Sequence, residues 1–340
     1  MTIPHLKPQT RQRSIDVAYL RVAQLGDPNY VDPKRVLAAV QYGGDVVPVS
    51  DDSSLIHVPL QNLGQETLLE VWQSSIPVEH GQLGDIHYCC NGEFLFAAIR
   101  CEEPDPLKLE ALCYDAYQEI LRFSRQTDYP HILRLWNYLA DINKAQDGLE
   151  RYRSFCKGRY QAFTELDPGF EQSLPAASAV GAHQPGLCIY FLAAREPGLP
   201  LANPRQVNAY QYPEQYGPRS PSFSRALINT SGDNLQFYIA GTASIVGHET
   251  LHQGDVCEQT LETLRNFRAL HEHARDSINT DFENDSTQIL YKVFIRHTQD
   301  FPIVQQILSG QLGSDANVLY LHADICRSDL LVEIEAIYLV

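Results

Sequence analysis

The order of strands and helices in the second half of the chain limits the fold more than any other sequence feature. Residues 234–247 form an apolar run typical of a strand, and Asp255 with Glu258 forms a capping box that predicts the start of a helix. Apolar periodicity then predicts a strand over 289–296, a helix over 301–312, and strands over 317–325 and 330–339. This alternation, closed by two consecutive strands, predicts an α+β fold in which mixed sheets are backed by helices.

The first half begins a similar pattern. Asn91-Gly92 lies between two apolar runs and predicts a type I′ turn in a hairpin over residues 85–100. Asp105 is the predicted N-cap of a helix that ends near Arg125. Residues 131–143 and 148–163 are predicted to form two further helices, and the polar first thirty residues a surface arm. We therefore expect two related halves, residues 1–150 with the arm and residues 151–340.

Composition excludes several classes of protein. Asp and Glu outnumber Lys and Arg by 42 to 26, which gives a net charge of −16 and argues against nucleic acid as a partner. The negative net charge does not exclude a small anionic ligand, because a local cluster of arginines can make one site positive. No uncharged apolar run is long enough to span a membrane, and the N-terminus lacks the apolar segment of a signal peptide. The eight cysteines form no CxxC pair, so reduced thiols and a cytoplasmic location are expected.

His248-Glu-Thr-Leu-His252 matches the H-E-x-x-H motif of zinc proteases. That chemistry requires both histidines on one face of a helix, with the glutamate activating a zinc-bound water. Here Gly247 precedes the motif, Gly254 follows it, and the predicted helix starts only at Asp255. We therefore keep zinc proteolysis only as a minor alternative and assign no metal ligands.

The last strand carries two carboxylates on one face. Strand alternation places Glu333 and Glu335 on one side, and Val332, Ile334, Ala336 and Tyr338 on the other. The acidic face could be solvated. Alternatively, a carboxyl group in a partly apolar pocket has a raised pKa and can deliver a proton.

Arginines recur beside aromatic residues in the middle of the chain. Arg153 follows Tyr152, Arg219 follows Tyr216, and Arg205 and Arg225 flank the same Pro-rich connection. Each alone is typical of a surface or structural arginine. Together, in an acidic chain, they indicate a pocket for a dicarboxylate, because guanidinium groups bind carboxylates through two parallel hydrogen bonds.

Several segments resemble the chorismatase family, also called chorismate hydrolases. They are LRLWNYLADIN, ERYRSFCKGR, NPRQVNAYQYPEQYGPRSPSFSRA, FYIAGTASIVGHETLHQGD and ADICRSDLLVEIEA. The C-terminal run also resembles the RidA/YjgF fold. The resemblance implies two RidA-like halves, with most of the active site in the C-terminal half, and neither a metal nor an organic cofactor. It also implies cleavage of the enolpyruvyl ether of chorismate, which releases pyruvate.

The resemblance assigns residues to this reaction. Glu333 matches the family's catalytic acid, and Glu335 is the alternative. Arg153 would bind one carboxylate of chorismate, and Tyr216 with Arg219 or Arg205 the other. Four further residues are expected at the same pocket: Gly241, Thr242, Lys292 and Arg296.

The product is less constrained. In the family a cysteine at the position of Cys326 accompanies hydroxybenzoate formation, whereas Ala240 stands where some hydroxybenzoate formers carry glycine. We expect 3-hydroxybenzoate, with 4-hydroxybenzoate as a second product. The alternatives are the hydrolytic dihydroxy-cyclohexadiene carboxylate, or a RidA-like binding or deaminase-type protein without ether cleavage. A monomer is favoured, because two fused halves can satisfy each other's interface.

Overall fold

The computed structural model describes residues 13–340 except 26, 45–53, 65, 104, 106–107, 231–234, 281 and 283–286. Its helices are α1 (Val22–Leu25), α2 (Leu109–Gln126), α3 (Arg151–Leu166), α4 (Val256–Ile278) and α5 (Phe301–Leu312). In this described part, no helix is both long and apolar enough to cross a bilayer.

Three sheets contain most of the strands. The N-terminal sheet has the order β1-β5-β2-β3, with β1 (Ile15–Arg21), β2 (Val36–Tyr42), β3 (Leu55–Val58) and β5 (Leu68–Ser74). The middle sheet has the order β21-β12-β9-β13-β8-β7-β6, with β6 (Glu79–Leu83), β7 (Ile86–Cys90), β8 (Phe94–Cys101), β9 (His131–Ala140), β12 (Ala176–Ala182), β13 (Leu187–Ala194) and β21 (Asp324–Ile325).

The C-terminal sheet has the order β14-β15-β16-β22-β19-β20-β4. Its strands are β4 (Gln61–Asn62), β14 (Leu199–Leu201), β15 (Ala226–Asn229), β16 (Gln236–Ala243), β19 (Gln288–Ile295), β20 (Asn317–His322) and β22 (Val332–Leu339). Two small hairpins complete the list: β10 (Ala145–Gln146) with β11 (Leu149–Glu150), and β17 (Ile245–Val246) with β18 (Glu249–Thr250).

The middle and C-terminal sheets repeat one topology. Three antiparallel strands lead into a helix, a strand, a second helix and two strands, and the final strand inserts beside the third. In the first unit these elements run from β6 to β13, and in the second from β14 to β22. The expectation of two related halves agrees with this repeat. We propose that the domains follow it, over residues 79–194 and 199–339, in place of a division at residue 150.

The core lies in layers set by these sheets. One apolar cluster fills the space between the three sheets and includes Trp72, Trp136 and Tyr238. A second cluster lies under α2 and α3, and a third lies between the C-terminal sheet and α4 and α5. Asp255 is confirmed as the N-cap of α4, because its side chain accepts a hydrogen bond from the Glu258 amide, but the reciprocal bond of a capping box is replaced by one from the Asp255 amide to the carbonyl of His252.

The prediction of a helix over residues 131–143 is wrong, because His131–Ala140 is strand β9. Both faces of this strand are buried. Leu135 and Leu139 face the helices, while Trp136 and Tyr138 face the space between the sheets. A strand buried on both faces is apolar at nearly every position, so its sequence lacks the alternation that distinguishes it from a helix.

Three local predictions also need correction. The hairpin of β7 and β8 is present, but only Gly92 has positive φ (+87°), and the Asn91 side chain instead accepts a hydrogen bond from the Phe94 amide at 2.8 Å. Helix α2 starts at Leu109, and its N-cap is Lys108, three residues after the predicted N-cap Asp105. The predicted arm falls partly on residues 1–12, outside the described residues, and its later part forms β1.

Candidate active site

Glu333 and Glu335 lie on the central strand of the C-terminal sheet, between β16 and β19. The opposite face of the strand packs on α4 and α5 through Val332, Ile334 and Ala336. The alternation is therefore as predicted. The interpretation of the acidic face as solvated is wrong, since Glu333 is 4% and Glu335 3% exposed.

A cavity of about 250 Å³ opens beside Glu333. Its wall combines this one buried acid with cations and aromatic rings from both units and from the loop after β21. The lining includes Tyr152, Arg153, Arg159, Ser178, Tyr212, Tyr216, Phe223, Arg225, Gly241, Cys326, Arg327 and Glu333. Such a wall suits a small anionic ligand with a flat apolar body.

Gly241 allows the Glu333 carboxyl group to reach the cavity. The pairing of β16 with β22 shifts register between Ile239 and Thr242, so Gly241 lies in an irregular stretch beside Glu333. A Cβ atom on Gly241 would overlap Oε1 of Glu333 and would lie 3.2 Å from Cβ of Ser178. Only glycine leaves this space open.

The surroundings of Glu333 keep its carboxyl group protonated. Burial, followed by the negative charge of Glu335, raises the pKa of Glu333 from 4.5 to about 8, against the opposing influence of Arg134, Arg225 and Arg296. A carboxylic acid with this pKa is mostly neutral at pH 7 and can donate a proton.

Four arginines line the cavity. Arg153 is half-exposed and donates through Nε to Glu150 at 3.2 Å. Arg159 and Arg225 are buried, and each has an Nε atom without a hydrogen-bond partner. Arg327 likewise has an Nη2 atom without one. The four guanidinium groups place positive charge at the wall of the cavity, which favours an anionic ligand there.

Arg327 and Tyr216 line the cavity, and His248 lies behind them. The guanidinium carbon of Arg327 lies 3.9 Å from the centre of the Tyr216 ring. Nη1 of Arg327 donates to the carbonyl of His248 at 2.8 Å, and the Tyr216 hydroxyl lies 3.2 Å from Nδ1 of His248. The first histidine of the H-E-x-x-H motif therefore supports the cavity wall.

The rest of that motif is extended and turned, as predicted. Glu249 and Thr250 form β18, and His252 has a positive φ of 56°. The two histidines are therefore not placed one helical turn apart, as a zinc protease requires. Among the described residues, no group of three or more His, Cys, Asp and Glu could hold a metal ion.

Cys326 lies at the cavity with a neutral thiol. Burial, followed by the charge of Glu333, raises the pKa of Cys326 well above its usual value. The thiolate is the nucleophilic form of cysteine, so this thiol is not prepared for covalent catalysis. Its position in the wall instead suits steric or hydrogen-bonding control of the reacting ring.

Glu335 and Lys292 lie behind the cavity wall and not in it. Lys292 Nζ lies 2.9 Å from Glu335 Oε1, and Arg134 donates to Glu335 Oε2 at 2.6 Å. Burial opposes ionisation of Glu335, but Lys292 and Arg134 outweigh it, so its pKa is lowered. A carboxylate held in this way is a poor proton donor, and the structure therefore does not favour Glu335 as the alternative acid or Lys292 as a substrate ligand.

Two arginines that were predicted to bind the substrate instead form hydrogen bonds with other groups of the protein. Arg205 binds Asn266 and Glu262 on α4 at 2.7 and 2.5 Å. Arg296 donates to Asp324 at 2.6 Å and to the carbonyls of Ile325 and Arg327, and so holds the loop that carries Cys326. Neither arginine lines the cavity.

Three other predicted residues also lie outside the cavity wall. Arg219 is exposed and lies over the Tyr160 ring, with its guanidinium carbon 4.7 Å from the ring centre. Ala240 is fully buried in the core between the sheets. Thr242 is buried and donates to the carbonyl of Ala240 at 2.9 Å. Glu333, Cys326, Arg153, Tyr216 and Gly241 are the predicted residues that do meet at the cavity.

Arg159 and Arg327 were missed, and Arg225 was noted only as one of several arginines beside aromatics. Arg327 directly follows Cys326, and Arg159 closes the segment ERYRSFCKGR that carried part of the resemblance. Both arginines therefore lie in segments that the sequence had already linked to the site. What the sequence lacks is the packing that brings α3 against the loop after β21.

The chain is thus an α+β protein whose site combines a buried acid with an arginine-rich cavity. Comparisons with known proteins identify its family. Residues 70–193 match the family model described as "Chorismatase FkbO/Hyg5-like, N-terminal". A 3-hydroxybenzoate synthase of Streptomyces hygroscopicus is 36% identical over 332 residues, covering 92% of this chain and 97% of the relative. A chorismatase of the same organism is 34% identical, covering 95% of this chain and 94% of its own.

A solved chorismatase structure matches with a TM-score of 0.85 at 32% identity. The match covers 95% of this chain and 98% of that one. The chain belongs to the chorismatase family. The family and the α+β fold class that the resemblance implied are thus confirmed.

Proposed function

We propose that this chain is a chorismatase, which cleaves the enolpyruvyl ether of chorismate into pyruvate and 3-hydroxybenzoate. The observation that carries the proposal is the buried Glu333 carboxyl group, whose pKa of about 8 keeps it protonated beside an arginine-lined cavity. Relatives named for this chemistry match nearly the whole chain.

Glu333 is the proposed proton donor. Transfer of its proton to the methylene carbon of the enolpyruvyl group uses the π electrons of the enol ether and leaves an oxocarbenium ion at the neighbouring carbon. A weak, neutral acid at the operating pH is what this step requires. The proton released when the ring becomes aromatic restores the acid, so the enzyme ends the cycle unchanged.

The arginines are the proposed anchors for the two carboxylates of the substrate. Arg159, Arg225 and Arg327 have buried, unpartnered guanidinium nitrogens, and Arg153 reaches the cavity from its more exposed side. They also explain how a chain with a net charge of −16 can bind a dianion. Tyr152, Tyr212 and Phe223 supply the apolar walls for the ring.

Two products are chemically open to this site, and they differ by one water. Pyruvate and 3-hydroxybenzoate together contain the atoms of chorismate, because the carbon–oxygen bond between the ring and the enolpyruvyl group breaks, one ring proton is lost, and a ring hydroxyl, with no added water, captures the cation. The dihydroxy-cyclohexadiene carboxylate forms when water captures it instead. We propose the first route, because Cys326 lines the cavity as a neutral thiol and a relative named 3-hydroxybenzoate synthase is 36% identical.

The test is to incubate the purified chain with chorismate, couple pyruvate release to lactate dehydrogenase and separate the aromatic products by chromatography. We expect equimolar pyruvate and 3-hydroxybenzoate. The diene-diol would refute the proposed route but not ether cleavage. An absence of pyruvate from folded protein would refute the function and favour the RidA-like binding or deaminase-type alternative.

A monomer in the cytoplasm is our proposal for the state of the enzyme. It follows from the two fused units and the scattered, free cysteines. Light scattering behind size exclusion should give the mass of one chain, 38.4 kDa, and twice that mass would contradict the proposal.

A further inference from the structure

Four buried charged side chains alternate in sign where the three sheets meet. Lys292 Nζ on β19 lies 2.6 Å from Glu70 Oε2 on β5 and 2.9 Å from Glu335 Oε1 on β22. Arg134 on β9 then binds Glu335 Oε2 at 2.6 Å. None of the four residues is more than 3% exposed. The charges therefore form one continuous chain through the core.

Neighbouring side chains donate hydrogen bonds to both carboxylates. Trp72 Nε1 donates to Glu70 Oε1 at 2.8 Å. Trp136 Nε1 donates to Glu335 Oε1 at the same distance, and Ser178 Oγ donates to Glu335 Oε2. Hydrogen bonds to a carboxylate favour its charged form.

Stability alone is a weak explanation for this chain of charges. Removing ions from water costs several kcal/mol each, and apolar side chains of similar volume often replace a buried pair with about equal stability. None of the four lines the cavity, so substrate binding does not explain them either. Glu335, however, lies two residues from Glu333 on the same strand face, roughly 7 Å along the strand.

We propose that Glu70, Lys292, Glu335 and Arg134 form a positioning network that fixes a negative charge at Glu335 and so keeps Glu333 in its acid form. The proposal rests on the proposed function, since it concerns the proton donor of that reaction. Glu335 and Lys292 are then positioning residues, and the N-terminal sheet becomes part of the acid's electrostatic environment through Glu70.

The sign of the effect follows from the charges around Glu333. Glu335 is the negative group that raises the pKa of Glu333, and Glu150 and Asp329 are the other carboxylates in the cavity wall. Three arginines oppose the raised pKa of Glu333: Arg134, Arg225 and Arg296. The other arginines in the cavity wall are Arg153, Arg159 and Arg327. The thiol of Cys326 beside Glu333 is neutral. Removing the charge of Glu335 leaves these arginines less opposed, so Glu333 should lose its proton at lower pH.

The test is the pH profile of kcat/KM for chorismate in Glu335→Gln and Glu70→Gln. The alkaline limb of this profile is the fall in kcat/KM at high pH. In Glu335→Gln we expect this fall to begin about 1 pH unit or more lower than in the wild type, while activity at acidic pH is retained. Glu70→Gln should move the limb in the same direction by less, because Lys292 then neutralises Glu335 more fully. Glu262→Gln is the matched control. That buried carboxylate also binds arginines but lies outside the cavity wall, so the limb should not move.

Unchanged limbs in both variants would overturn the proposal. Folded Glu335→Gln without turnover at any pH would also overturn it and would make Glu335 the acid. If Glu335→Gln does not fold, the limb of Glu70→Gln decides between the same outcomes. A wild-type chain that releases no pyruvate would instead refute the proposed function, so the two failures are distinguishable.

Discussion

Gly241 and Glu333 face each other across β16 and β22 so closely that a methyl group on Gly241 would overlap the Glu333 carboxyl oxygen. The position of the acid thus depends on the absence of a side chain on the neighbouring strand. The irregular register at this point supplies the space, and the cavity opens beside it.

Gly241→Ala should therefore lower kcat by about 100-fold, because a shift of about 1 Å in a catalytic group has an effect of that size. The measurement is steady-state pyruvate release, with circular dichroism to show that the fold is kept. Gly310→Ala on α5 is the matched control, since a Cβ there would meet nothing within 4 Å. Wild-type kcat in Gly241→Ala would show that Glu333 does not need its observed position.

The pH dependence of the wild-type enzyme follows from the acid role of Glu333. The protonated form is the active one, and its pKa is raised to about 8. We expect kcat/KM to fall about tenfold per pH unit above pH 8. Initial rates at constant ionic strength would show this. A rate that rises through pH 8 would mean that Glu333 acts as a base.

Arg153→Ala should raise KM for chorismate about tenfold or more with a smaller change in kcat, because a charged hydrogen bond to the substrate carboxylate is lost. Arg219→Ala is the matched control. Arg219 is exposed over Tyr160 and does not line the cavity, so its KM should stay near the wild-type value. A raised KM in Arg219→Ala, with an unchanged KM in Arg153→Ala, would contradict this account. It would assign the substrate carboxylate to Arg219, as the sequence predicted, and not to Arg153.

Cys326→Ala should change the product more than the rate. A neutral thiol in the cavity wall shapes the space around the reacting ring, and its removal admits water. We expect pyruvate release to persist while part of the 3-hydroxybenzoate is replaced by the diene-diol. Chromatography of the products measures the ratio. Cys257→Ser, which alters an exposed cysteine, should leave the ratio unchanged.

Much of the C-terminal unit could be predicted from the sequence. The alternation in β22 separated the acidic face from the apolar face, and the capping box marked the start of α4. Strand β9 could not be told from a helix, because burial on both faces removes the periodicity. Single-sequence patterns therefore succeeded in β22, where the two buried faces differ in polarity, and failed in β9, where both buried faces are largely apolar.

The site was harder to predict than the fold, for a physical reason. A sequence shows that an arginine is present but not which group its guanidinium meets. Arg205 and Arg296 are engaged by protein oxygens and do not line the cavity, whereas Arg159 and Arg225 do. Which arginines remain for the substrate depends on tertiary contacts that the sequence does not show.

The most direct test of the central claim is pyruvate release from chorismate by Glu333→Gln beside the wild-type chain at pH 7. The amide has the shape of the acid but cannot donate the proton, and removing a buried ionisable group should leave the fold intact. We expect the wild-type chain to release pyruvate and the folded variant to lose at least about 100-fold in kcat. Turnover by Glu333→Gln at the wild-type rate would contradict the assignment of Glu333 as the proton donor.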